Sequence, residues 1–132
     1  MTELMVFDTE GFFEDVLRQN GPQLKKRFRD DAVIRWHCTG EEFSPEEYIR
    51  ANCEYPGSWS GEIERVEESG DCIVMAARVF MTDHPGSYHV VSFITQSEGK
   101  ILTLDEYWAD DGEPPEWRRN MNIGKPLRQQ RT

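Results

Sequence analysis

Gly99-Lys100-Ile101-Leu102-Thr103-Leu104-Asp105-Glu106-Tyr107-Trp108-Ala109-Asp110-Asp111 is the stretch that decides how this chain folds. Glu98 and Gly99 make a turn that feeds a long last strand, 101–108, and the polar Asp110-Asp111-Gly112 closes it. Successive side chains of a strand point to opposite faces. Leu102, Leu104, Glu106 and Trp108 therefore share one face, and Ile101, Thr103, Asp105 and Tyr107 the other. The first set places one carboxylate in an apolar row that ends in an indole. Such a row is either the floor of a pocket or a strand end reaching solvent, and we read it as a pocket floor.

Three more strands are expected upstream, at about 60–68, 72–81 and 87–96. The turns Ser69-Gly70-Asp71, Asp83-His84-Pro85-Gly86 and Ser97-Glu98-Gly99 are short and contain glycine, which suits antiparallel hairpins. Strand 72–81 is apolar on both faces, with Ile73, Met75, Ala77 and Val79 against Val74, Ala76 and Phe80. In strand 87–96, His89, Val91 and Phe93 oppose Val90, Ser92 and Ile94, and the first set is taken as inward. Helices can cover one side of so small a sheet. A second apolar face therefore predicts a partner subunit, and the chain is expected to be a homodimer.

The N-terminal half supplies the cover. Residues 9–29 read as helix in two pieces, with Phe12, Phe13, Val16 and Leu17 on one stripe and Asn20-Gly21-Pro22 breaking it. Leu24 and Phe28 lie on one face of the second piece, and Lys25, Lys26, Arg27 and Arg29 suit the negative end of its dipole. Asp30-Asp31 turns the chain into a strand, 32–38, whose Ile34, Trp36 and Cys38 face inward. A loop, 39–43, leads to Ser44-Pro45-Glu46-Glu47, a strong helix start with serine as cap and glutamate three residues on. This third helix runs to about Cys53, with Tyr48 and Asn52 one turn apart. The tail from about 112 shows no periodicity; Trp117 and 123–127 are expected to pack on the domain, and the last five residues to fray.

Bulk properties narrow the function. At 132 residues the chain is read as one domain, 1–132, able to bury a core unaided. With 25 acidic and 15 basic side chains the net charge is −10, which repels nucleic acid and anionic membrane. No apolar run is long enough to span a bilayer, and residues 1–8 lack the pattern of an export signal. Cys38, Cys53 and Cys72 are irregularly spaced, with no histidine at a zinc spacing. They read as reduced, mostly buried thiols of a cytoplasmic protein, and neither a metal nor a cofactor is expected.

Two helices, a strand, a helix and four antiparallel strands make an α+β chain by its layers. The chain resembles the nuclear transport factor 2-like superfamily, the fold of ketosteroid isomerases and SnoaL-like polyketide cyclases. The resemblance rests on Phe28-Arg29-Asp30-Asp31-Ala32-Val33, on Phe43 to Ile49 and on Gly99 to Trp108, within a cover of about 9–110. It implies a cone-shaped curved antiparallel sheet packed on about three N-terminal helices, a deep apolar pocket, and dimers joined through the outer faces of the sheets. Ketosteroid isomerases carry a general-base aspartate where this chain has Trp36, and their protonated aspartate falls near Val91. Neither residue can repeat that chemistry. The family's pocket-lining tryptophan at the end of the last strand does match Trp108.

Candidate site residues follow from the faces. Glu106, framed by Leu104, Trp36 and Trp108, would lose water and gain a raised pKa, as acid–base work at neutral pH requires. The bland alternative is a structural carboxylate bonded to Asn52, a tyrosine or a backbone donor. His89 would shuttle a proton or orient Glu106, or else be a hydrogen-bonded side chain at the pocket mouth. Trp36, Trp59 and Trp108 would wall a flat or apolar ligand, with Val91, Phe93 and Leu104 completing the lining, or else serve as core. Asn52 would bond a ligand carbonyl or anchor a loop. Asp110 and Asp111 read as a solvated turn. Two functions fit: a cofactor-free isomerase, cyclase or hydrolase acting on a small apolar molecule, or a non-catalytic binding or dimerising module.

Overall fold

A computed structural model describes residues 7–127 of the chain. Its elements run α1 (Thr9–Leu17), α2 (Gly21–Arg27), β1 (Phe28–Trp36), β2 (Glu41–Phe43), α3 (Pro45–Cys53), β3 (Trp59–Ser69), β4 (Cys72–Met81), β5 (Ser87–Ser97), β6 (Lys100–Asp110) and a short α4 (Glu116–Arg119). The strands form one sheet in the order β2-β1-β6-β5-β4-β3, so the last strand lies at its centre. The architecture is α+β, with one departure from an all-antiparallel sheet: β1 runs parallel to β6. A long chain path separates those two strands, as a parallel pair requires.

Local chemistry explains the helices. Asp8 caps α1 by accepting from the Gly11 amide, and Asn20 caps α2 by accepting from the Gln23 amide. At α3 the Ser44 hydroxyl accepts from the Glu47 amide while the Glu47 carboxylate accepts from the Ser44 amide, a complete capping box. Arg27, from the basic end of α2, bonds the nearly buried Asp15 of α1 at 2.6 Å and so staples the two helices. Arg27 of that cluster is thus structural. Phe12, Leu24, Phe28 and Tyr48 are buried between these helices and the sheet. At Gly61 in β3 an added Cβ would stand 2.5 Å from the Arg78 carbonyl oxygen and 3.1 Å from the Phe13 ring. The missing side chain is what lets α1 close onto β3.

Several expectations are corrected. β1 begins at Phe28, and Asp30-Asp31 sits in a register irregularity between Phe28 and Val33 instead of a turn. The loop 39–43 contains a three-residue strand, β2, too short to carry a periodic signal. Trp117, Ile123 and Leu127 of the tail are exposed, at 64%, 57% and 96%. The last five residues, expected to fray, lie outside the described residues.

The largest correction concerns the β5–β6 hairpin. Glu98 and Gly99 both have positive φ, 55° and 81°, the two-residue turn whose twist matches a hairpin. Counted straight back from that turn, Val91 would face Glu106 and Phe93 would face Leu104. Instead Gln96 pairs with Ile101 and Thr95 with Thr103, leaving Leu102 as one extra residue. This bulge shifts every later pair by one: Ser92 opposes Glu106, Ile94 opposes Leu104 and Val90 opposes Trp108. Ile101, Val90, Ser92 and Ile94 are accordingly buried under the helices, while Leu102 and Phe93 are 37% and 40% exposed. His89, Val91 and Phe93 lie on the outer face.

Candidate functional site

At the centre of the inner face stands Glu106, 4% exposed. Sheet register assembles its surroundings: Trp36 is its partner on β1, Ser92 its partner on β5, and Trp108 lies two residues along β6 on the same face. Both indoles donate to one carboxylate oxygen, Trp36 Nε1 at 3.1 Å and Trp108 Nε1 at 3.2 Å. The Ser92 hydroxyl donates to the other oxygen at 2.6 Å. Burial nonetheless pushes the Glu106 carboxyl above the ordinary range, with the three donors pulling the other way. The phenol of the buried Tyr48 is pushed up as well, by burial first and by the Glu106 charge second.

Beside this cluster, between α1, α3 and the open end of the sheet, lies a cavity of about 250 Å³. Trp36, Trp59, Trp108, Tyr55 and Tyr88 are its aromatic lining, and Val16, Leu17, Ala51 and Val79 are its aliphatic lining. Cys38, Thr39, Asn52 and Asp110 complete the lining, and the aromatic residues Tyr55, Tyr88 and Trp59 carry polar O–H and N–H groups of their own. Glu106 does not line it. The carboxylate sits behind Trp36 and Trp108, whose N–H edges turn toward it while the same residues form the cavity wall. It therefore sets the pose of two wall residues.

The other candidates separate cleanly. Trp36, Trp59, Trp108 and Asn52 line the cavity; Leu104 is fully buried on the same face and does not. Asn52 has its amide nitrogen committed to the Val16 carbonyl at 3.2 Å, and the Gln19 side chain donates to the Asn52 backbone carbonyl at 2.8 Å. Val91 and Phe93 are on the outer face and do not line the cavity. His89 is there too, bonded through Nδ1 to Asp111 and 3.5 Å from Glu64, so it cannot reach Glu106. Asp111 raises its pKa. Cys38, expected to be buried, is exposed at the cavity mouth. Sequence reasoning missed Tyr55, Tyr88 and Ser92. The two tyrosines flank Trp59, with ring centroids 5.4 and 5.7 Å from it. Among the described residues no cluster of three or more His, Cys, Asp or Glu side chains is arranged to hold a metal, and no helix is long and apolar enough to cross a membrane.

No protein-family model matches the sequence, and no curated protein matches it significantly. Solved structures do match. A protein from Kribbella flavida assigned as a ketosteroid isomerase superposes with a TM-score of 0.75 at 20% identity, over 92% of this chain and 90% of that one. A nuclear transport factor 2-like protein of unknown function from Burkholderia xenovorans gives 0.70 at 17% identity, over 89% and 91%. A protein of ketosteroid isomerase-like fold from Catenulispora acidiphila, crystallised in complex with trimethylamine, gives 0.66 at 12% identity, over 77% and 86%. Proteins assigned as SnoaL-like polyketide cyclases match as well. With helices on one face of its sheet and these neighbours, the chain has the cone-shaped nuclear transport factor 2-like fold that ketosteroid isomerases and SnoaL-like polyketide cyclases share.

Proposed function

We propose that this protein binds a small, largely apolar molecule in the aromatic cavity, with Glu106 holding the wall in place. One observation carries the reading: a buried carboxylate spends its hydrogen-bonding capacity on two indoles and a serine, and those two indoles line a preformed cavity. Pockets of this kind gain affinity from apolar wall area and specificity from a few polar groups. Native mass spectrometry of the purified protein is expected to show a carried ligand, or tryptophan emission to respond to added apolar compounds. A Trp59→Ala variant that remains folded should show a weaker response, Trp36 and Trp108 still facing the cavity. An unchanged response in Trp59→Ala would overturn the reading.

A second reading, a cofactor-free acid–base enzyme, is favoured by the raised carboxyl of Glu106 next to the cavity. It requires Trp36 or Trp108 to swing aside. Glu106→Gln decides between the two: the binding protein keeps its ligand and has no turnover to lose, whereas the enzyme binds and stops.

We also propose a homodimer through the outer face, where Val91, Phe93 and Tyr107 form an apolar strip, Phe93 and Tyr107 being 40% and 45% exposed. A cytoplasmic location suits three free cysteines.

A further inference from the structure

The same cavity says what kind of small molecule it takes, and this step rests on the binding reading above. An aromatic wall by itself accepts a neutral flat ring as readily as a cation, so the decision falls to the polar groups. Among the described residues no lysine, arginine or histidine lines the cavity, and Asp110 contributes a carboxylate. Four of the lining's donors are already engaged: Thr39 gives its hydroxyl to Glu41, and the other three are turned away from the ligand space. Asn52 gives one amide hydrogen to the Val16 carbonyl and points its nitrogen at the Cys53 sulfur as well, and Trp36 and Trp108 give their N–H groups to Glu106.

Those last two bonds also fix the polarity of the wall. An aromatic ring is positive at its edge and negative over its face. With the N–H edges of two indoles bonded to Glu106, the positive edge of each is directed at a carboxylate and away from the ligand space. Trp59 and its neighbours Tyr55 and Tyr88 are mutually inclined, at 60° and 44°, so their planes bound the space from different directions. Ring faces attract cations within about 6 Å, tryptophan most strongly. The net charge of −10 adds a long-range bias of the same sign.

A primary ammonium would bring three hydrogens that each need an acceptor, and this mostly apolar wall offers one carboxylate. Methylated nitrogen spreads its charge over carbon-bound hydrogens and makes no such demand. We infer that the ligand is a small tertiary or quaternary alkylammonium cation, its methyl groups against Trp36, Trp59, Trp108 and Tyr88 and its charge balanced by Asp110.

The test compares choline with 3,3-dimethylbutan-1-ol, which has the same shape with carbon in place of the charged nitrogen. Each is titrated into the full chain at constant ionic strength, followed by calorimetry and tryptophan emission. Choline is expected to bind about tenfold more tightly than the alcohol, an increment between those of an exposed and a fully desolvated cation–π contact. Asp110→Asn should weaken choline several-fold and leave the alcohol unchanged. Equal or tighter binding of the alcohol overturns the cation assignment and leaves the apolar-pocket reading standing. Failure of choline to bind at millimolar concentration overturns it too, and the native mass spectrum then judges the pocket reading separately. A choline affinity indifferent to Asp110→Asn removes the role given to that carboxylate.

Discussion

Replacing Glu106 separates a carboxylate that holds a wall from one that merely lies in a core. In Glu106→Ala, two indole N–H groups and the fully buried Ser92 hydroxyl lose their acceptor at once. An orphaned buried polar group costs about 1–3 kcal/mol. The indoles face a cavity that water can enter, and the variant is relieved of a desolvated carboxyl, so the net loss should be about 2–4 kcal/mol. Glu106→Gln keeps the shape: its carbonyl oxygen accepts from both indoles and its amide donates to Ser92, whose hydroxyl can turn to accept. That variant should lie within about 1 kcal/mol of the parent. The two also differ in pH dependence. A carboxyl whose folded pKa is raised adds stability below its ordinary value of 4.5, and that stability is lost as the pH climbs through the higher folded value. Glu106→Gln should abolish this component. Urea unfolding followed by far-ultraviolet circular dichroism gives the free energies without relying on the altered tryptophans. Glu106→Gln as unstable as Glu106→Ala, or Glu106→Ala as stable as the parent, would refute the clamp.

Other expectations concern the outer face and the α1–β3 contact. His89 should titrate above 6.5 because Asp111 holds its proton; any stability it lends is present below that value and lost as the pH rises through the folded pKa. In Asp111→Asn the imidazole resonances should shift at lower pH, and an unchanged NMR titration would contradict the pairing. Phe93→Glu should turn a dimer into a monomer in sedimentation equilibrium at micromolar concentration, and a parent that is already monomeric ends that proposal. Gly61→Ala forces a Cβ to within 2.5 Å of the Arg78 carbonyl oxygen. It should lower stability by about 1–3 kcal/mol, measured by the same urea unfolding.

How legible the fold was depended on the kind of signal. Capping residues are local and chemical, so the break at Asn20-Gly21-Pro22 and the start of α3 at Ser44 could be read directly. The face of β6 from Leu104 to Trp108 was legible because Leu104, Glu106 and Trp108 alternate with the more polar Thr103, Asp105 and Tyr107. The same alternation placed Trp36 with Glu106, and their register agrees. Tyr55 was invisible as a wall residue because it follows α3 in an irregular segment, where no period says which way a side chain points.

Strand β5 failed for a different reason. Val90 and Ile94 on one face, Val91 and Phe93 on the other, give alternation nothing to choose between, and parity then rests on counting from the turn. One residue, Leu102, upsets the count, and neither Ile101 nor Leu102 is polar enough to reveal the bulge. Polar bookkeeping could have found it. A carboxylate placed inside must meet donors, and the unbroken hairpin offers Glu106 only Val91 across the strand pair. Sliding the register by one residue brings Ser92 opposite Glu106, the one hydroxyl within the central run of β5. Pairing each buried acid with a reachable donor therefore constrains register where hydrophobicity is silent, because an unmet buried carboxyl costs more than any apolar side chain gains by changing faces.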